Sequence, residues 1–123
     1  MRAPLGTFVH ARSGDKGGDA NLGLWVARVG AGREGAGPAD ERYAARVAWL
    51  LGLVTPSFVH DLLPETRDLG VEVVALPNLG GVNVVVTGLL GDGVAASTRF
   101  DPQAKGLGEW ARSRHVQIPE ELL

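Results

Sequence analysis

A polar, glycine-rich run between two apolar runs places the strongest restriction on the fold of this chain. The polar run is His10-Ala-Arg-Ser-Gly-Asp-Lys-Gly-Gly-Asp-Ala-Asn21, and the apolar runs Leu5–Val9 and Leu22–Val26 lie on either side of it. Apolar runs of this length that flank a glycine-rich segment predict two neighbouring strands. We therefore expect strands over Leu5–Arg12 and Ala20–Val29.

The two predicted strands differ in their patterns. Ala20–Val29 is almost continuously apolar, which is typical of a central strand that is covered on both faces. Leu5–Arg12 has a mixed pattern. The residues between the two strands, 13–19, are expected to form an exposed polar loop, because Gly, Asp and Ser favour turns.

Composition restricts the class of protein. A chain of 123 residues with 45% hydrophobic and 21% charged residues fits a single packed domain over residues 1–123. A formal net charge of −2 without a basic run argues against nucleic-acid binding. The apolar runs are too short to cross a membrane. The chain has no cysteine and no signal-peptide core, so a cytoplasmic location is expected.

The middle of the chain contains two predicted helices and one strand. Gly30–Pro38 is expected to be a mobile glycine-rich loop. Asp40 is expected to cap a helix over Glu41–Leu51, which Gly52 would end. A second helix is predicted over Phe58–Leu63, and a valine-rich strand is predicted over Val71–Leu76.

The last third of the chain contains one ambiguous segment, Val82–Leu90. Its valine content fits a strand, but we favour a helix because apolar residues recur at helical spacing, at Val82, Val85, Val86 and Leu89. A strand over Val94–Phe100, a helix over Gln103–Arg114 and a short strand over Val116–Ile118 follow. Helices that alternate with strands through short connections predict a two-layer α+β sandwich.

The polar run suits the binding of an anion or a polar carbonyl group. Glycines allow consecutive backbone N–H groups to turn toward one point, and Lys16 stands between Gly14 and Gly17. The spacing does not match a phosphate-binding loop, in which Ser or Thr follows the lysine. A carboxylate, a thioester carbonyl or a phosphate is therefore the expected ligand.

Metal binding and covalent catalysis are weaker interpretations of the same residues. Asp15, Asp19 and Asn21 have ligand oxygens, but their spacing is not that of a calcium loop and Lys16 would repel a cation. We predict no metal. His10 or Asp15 is a candidate general base, whereas nothing in the sequence places a nucleophile such as Ser13 next to a base.

Three segments carry a resemblance to a known family. They are His10–Gly23, Leu76–Asn83, and Ser97–Asp101 together with Gln103–Gly106. The chain resembles the ferredoxin-fold domain at the C-terminus of acyclic terpene utilisation protein A (AtuA), which also occurs as a free-standing small protein. The resemblance implies a two-layer ferredoxin-like sandwich and a place in acyl-CoA or branched, terpene-derived acid catabolism.

The leading hypothesis is an accessory or binding subunit that acts with a separate AtuA-like large chain and binds an anionic or thioester ligand at Arg12–Asn21. No cofactor is expected, although a CoA thioester is a possible ligand. One alternative is a self-sufficient small hydrolase or lyase that uses His10 or Asp15. Another is a structural or oligomerisation module, and a homo-oligomer is expected because such sheets expose an edge or a face. The predicted ligand-binding residues are Arg12, Ser13, Gly14, Lys16, Gly17, Asp19, Asn21, Asn78, Asn83, Arg99, Asp101 and Lys105.

Overall fold

The structure, a computed structural model, describes residues 1–28, 38–89 and 106–123, with the backbone alone at residues 16 and 38–40. Two predicted elements therefore lie outside the described residues. They are the strand over Val94–Phe100 and, except for its last residue, the glycine-rich loop over Gly30–Pro38. The predicted site residues Arg99, Asp101 and Lys105 also lie outside them.

The described chain forms an α+β ferredoxin-like fold, as predicted. The strands are β1 (Arg2–Pro4), β2 (Val9–Lys16), β3 (Asp19–Val26), β4 (Val71–Leu76), β5 (Gly81–Val86) and β6 (His115–Gln117). The helices are α1 (Pro38–Leu53), α2 (Pro56–Leu62) and α3 (Leu107–Ser113). Single 3₁₀ turns lie at Leu5–Thr7, Pro64–Thr66, Pro77–Leu79 and Glu120–Leu122.

The main sheet is antiparallel, with the strand order β2-β3-β5-β4. β2 and β3 pair as neighbours, as predicted, with Val9 opposite Val26 and Lys16 opposite Asp19. β5 lies between β3 and β4, so the sheet brings residues 20–25 beside residues 81–86. A small second sheet pairs β1 with β6. β6 begins and ends one residue before the predicted last strand.

The core lies between one face of the main sheet and the helices. Buried residues alternate along the two central strands, as a half-covered sheet requires. They are Ala20, Leu22, Leu24 and Val26 in β3 and Val82, Val84 and Val86 in β5. We call this helix-covered side the inner face and the opposite side the outer face. Trp25 on the outer face is 36% exposed, so the prediction that both faces of this strand are covered is wrong.

The polar run is not a loop, which corrects the prediction for residues 13–19. Leu5–Thr7 forms a 3₁₀ turn, β2 begins only at Val9, and the strand then continues to Lys16. Only Gly17 and Gly18 connect the two strands, and Gly17 has a φ of 65°. A two-residue hairpin turn favours glycine at such a position. Pairing between β2 and β3 satisfies the hydrogen-bonding groups of the backbone. These polar side chains can therefore lie on strands and not in a loop.

The segment Val82–Leu90 is a strand up to Val86, so the predicted helix is wrong. Its valines pair on both sides, with β3 and with β4. Val82, Val84 and Val86 are buried, whereas Val85 is only half-buried and lies on the outer face. Two neighbouring strands supply every backbone partner of a central strand, and this outweighs an accidental helical spacing of apolar residues.

The helices begin and end close to the predicted residues. α1 begins at Pro38, so Asp40 lies in its first turn and is not the cap, and the helix passes through Gly52 to Leu53. α2 begins at Pro56, two residues before the predicted start, and Thr55 Oγ1 accepts a hydrogen bond from the Phe58 N–H at 3.1 Å. β4 has the predicted bounds. The described helices include none that is long and apolar enough to cross a membrane.

Candidate functional site

The alternation of β2 divides the predicted site residues between the two faces of the sheet. The His10 ring lies 5.7 Å from the ring of Trp25 on the outer face, and Arg12 and Gly14 follow it at steps of two residues. Ser13 and Asp15 belong to the inner face. The two candidate general bases, His10 and Asp15, therefore lie on opposite faces and cannot serve one site together.

Strand register brings distant polar residues together on the outer face. Arg12 of β2 is opposite Gly23 of β3, which is opposite Asn83 of β5. The next row places Gly14 beside Asn21. A cavity of about 340 Å³ lies over these residues, and its lining consists of Arg12, Ser13, Gly14, Asn21, Gly23, Trp25 and Asn83. We call it the polar cavity.

The amide of Asn21 is the most informative group in the polar cavity. Its Oδ1 atom is buried and has no hydrogen-bond partner among the described residues. A buried acceptor without a partner costs about 1–3 kcal/mol, so such atoms are rare in native proteins. The positive guanidinium of Arg12 is on the same face. Arg12 therefore offers several donors to a polar molecule beside the Asn21 side chain.

A second cavity of about 300 Å³ adjoins the polar cavity and is mainly apolar. It shares Gly23, Trp25 and Asn83 with the polar cavity, and Leu76 and Leu79 lie on its other side. Leu79, in the 3₁₀ turn after β4, is 69% exposed. We call this the apolar cavity. The two cavities form one amphipathic site along the outer face.

Ser13 has a structural contact on the inner face. Its Oγ accepts a hydrogen bond from the Gly108 N–H at 2.8 Å, at the start of α3. The first N–H groups of a helix lack partners within the helix, and a hydroxyl from another element can satisfy one of them. A Cβ on Gly108 would lie 3.3 Å from Ser13 Oγ, so α3 approaches β2 closely at this point.

Ser13→Ala should lower the free energy of unfolding by about 1–2 kcal/mol, because the Gly108 N–H loses its acceptor. Urea unfolding followed by circular dichroism measures the loss. Ser113→Ala is the matched control, since that exposed hydroxyl only donates to the Trp110 carbonyl and should cost under about 0.5 kcal/mol. Equal losses in the two variants would contradict this role for Ser13.

The other predicted site residues occupy separate positions in the structure. Asp19 Oδ1 accepts a hydrogen bond from the Gly88 N–H at 2.8 Å, which fastens the turn after β5. Gly17 forms the hairpin turn, and Lys16 stands opposite Asp19 at the end of β2. Asn78 is exposed in the 3₁₀ turn before β5 and lines neither cavity. Within the described ranges, no three His, Cys, Asp or Glu side chains are grouped as metal ligands would be.

Seven residues that line the two cavities were not identified from the sequence. They are Gly23, Leu24, Trp25, Leu76, Leu79, Gly81 and Val82. The period of two in β3 was an available signal, because it puts Trp25 and Gly23 on the same face as Asn21. Leu76 and Leu79 joined the site only through the pairing of β4 with β5, and the sequence did not reveal that pairing.

Fold and site together define a ferredoxin-like α+β domain whose described helices cover one face of its main sheet. The family model of the AtuA ferredoxin-like domain matches residues 3–117. The chain belongs to this family, as the three motif segments predicted. No curated protein and no solved structure matches the chain significantly.

Proposed function

We propose that this chain is an accessory, ligand-binding subunit that works with a separate AtuA-like large chain in acyl-CoA or branched, terpene-derived acid catabolism. One observation carries the binding role: Arg12, Asn21 and Asn83 meet around Gly23 on the outer face of the sheet. The family match supports the connection with AtuA.

The polar cavity has the chemistry to hold a carboxylate or a thioester carbonyl. A guanidinium donates several N–H groups in a planar fork that matches carboxylate oxygens. The side-chain amides of Asn21 and Asn83 add donors and acceptors beside it. Gly14 and Gly23 have no side chains, so a ligand can approach the backbone between these polar groups.

Gly23→Val should abolish binding without damage to the fold. A Cβ on Gly23 would lie 3.7 Å from the Arg12 carbonyl oxygen and 3.9 Å from Trp25 Cζ3, which are ordinary contacts. Valine also favours strands. The added side chain would narrow the site where the two cavities meet, because Gly23 lines both, so we expect calorimetric titration with octanoate or octanoyl-CoA to show at least about a tenfold loss in affinity. The melting temperature should not fall.

Arg12→Gln should weaken the same binding by about tenfold, because a hydrogen bond to a charged group contributes about 1.5–3 kcal/mol. Arg67→Gln is the matched control, since Arg67 is an exposed arginine in the segment between α2 and β4. Unchanged affinity in both Gly23→Val and Arg12→Gln would exclude this site. No binding to the unmodified protein would contradict the proposed ligand class.

A self-sufficient hydrolase remains the second candidate, because His10 lies on the outer face beside Trp25, which lines both cavities. This hypothesis predicts thioester turnover by the isolated chain, lost in His10→Ala. The accessory role predicts turnover only with the large chain, together with a stable complex in size-exclusion chromatography. Asp15→Asn should have no effect in either case, since Asp15 belongs to the inner face.

A further inference from the structure

We infer that the site binds an acyl group in one orientation, with its carbonyl end in the polar cavity and its hydrocarbon chain in the apolar cavity toward Leu79. This inference rests on the proposed function and deepens it, because it names the part of the ligand that each cavity receives. The shared chemistry is an acyl group, whose source is either a free carboxylate or a thioester.

The continuity of the two cavities supports this orientation. Gly23, Trp25 and Asn83 line both of them, so a single molecule can occupy both. Cavity volumes of about 300 and 340 Å³ lie at the lower end of the range for small-molecule sites. The polar groups lie at one end only, so an amphipathic molecule fits in one direction.

Strand geometry gives the direction and reach of the chain. The row Arg12–Gly23–Asn83 binds the carbonyl end, and the neighbouring row Trp25–Gly81–Leu76 is one pleat away. Two residues along a strand span about 7 Å. Gly81 of this row also lines the apolar cavity. Leu79 closes the far end of this path.

The exposed apolar residues of the site indicate which kind of ligand would cover them. Single exposed apolar side chains are ordinary on protein surfaces. Here Trp25, Leu76 and Leu79 are 36%, 36% and 69% exposed and line the same cavity, directly beside a cation and two amides. A hydrocarbon chain attached to a polar carbonyl group satisfies both parts of this surface.

The test is calorimetric titration with a chain-length series of acetate, butanoate, hexanoate and octanoate and with the matching CoA thioesters. Each methylene that enters the apolar cavity should tighten binding by about twofold to fourfold. Leu79→Ser should flatten this dependence and leave acetate binding unchanged, while Leu79→Met should retain it. Leu79 is mostly exposed, so neither variant should affect folding.

Three results would overturn the inference. If affinity did not depend on chain length but was abolished by Gly23→Val, the ligand site would be supported. The placement of the hydrocarbon chain in the apolar cavity would be refuted. An equal chain-length dependence in the unmodified protein and in Leu79→Ser would place the chain elsewhere. A sedimentation experiment in which the protein is a dimer and Leu79→Ser is a monomer would assign the apolar cavity to a second copy. No binding by any probe would instead refute the proposed function.

Discussion

Gly81→Ala should lower the free energy of unfolding by more than about 4 kcal/mol. Only a few kinds of structural damage cause a loss as large as this. Gly81 of β5 stands opposite Trp25 of β3. An added Cβ would collide with the Leu24 carbonyl oxygen and would lie 2.7 Å from Trp25 Cβ and 2.8 Å from Trp25 Cα. These atoms belong to a strand that is paired on both sides, so no side-chain rotation relieves the clash.

Gly52→Ala is the matched control for this prediction. Gly52 lies within α1, and a Cβ there would meet no atom within 4 Å. Alanine in a helix is more stable than glycine by roughly 0.5–1 kcal/mol, so this variant should gain stability. Urea unfolding of both variants measures the difference. A loss below about 1 kcal/mol in Gly81→Ala would show that β3 and β5 can separate without cost.

Arg46→Met should lower the free energy of unfolding by about 3 kcal/mol, because it removes a charged side chain that joins three parts of the fold. Arg46 is only 7% exposed in α1. Its Nε donates to the Leu122 carbonyl at 2.6 Å, its Nη2 donates to the Leu123 carbonyl at 3.2 Å, and its Cζ lies 4.3 Å from the centre of the Phe8 ring.

The charge of Arg46 survives its burial. Burial lowers the pKa of its guanidinium, and the neighbouring charge of Arg42 lowers that pKa further. An arginine nevertheless stays protonated at neutral pH, so both hydrogen bonds keep a charged donor. Arg42→Met is the matched control, since Arg42 is exposed on the same helix and should change stability by under about 0.5 kcal/mol.

Hydrogen exchange distinguishes this role of Arg46 from a general loss of packing. In Arg46→Met the backbone amides of Leu122 and Leu123 should lose protection first, because their segment loses its attachment to α1. Protection at β3 should fall only by the global loss in stability. A uniform loss at all amides would show that Arg46 acts only as packing volume.

Two adjacent glycines of the family-like segment Leu76–Asn83 have a packing explanation. Gly80 has a φ of 69°, and an added Cβ would collide with the Tyr43 hydroxyl of α1. Gly81 has no Cβ, so the backbone of β3 can lie close to it. These glycines allow α1 and β3 to approach the same turn, which places Asn83 and Leu76 at the site.

The sequence by itself predicted elements whose signals are local. The valine-rich run predicted β4 with its observed bounds, and the apolar runs around the polar segment predicted the pairing of β2 with β3. The three motif segments predicted the family and the ferredoxin-like class. Strand register places three of the twelve predicted ligand-binding residues, Arg12, Asn21 and Asn83, on one face of the sheet, and the sequence did not identify that face.

Tertiary structure decided which face of the sheet the described helices cover and which residues lie on the other face. Alternation separates His10 and Arg12 from Ser13 and Asp15, but only the packing of α3 shows which set is covered. Residues Gly81–Val86 form a strand because β3 and β4 pair with them on both sides. The helical spacing of the valines contains no information about these two partner strands. The site is built from residues about 60 positions apart, and their proximity comes from the pairing of β3 with β5, two strands that no hairpin turn joins.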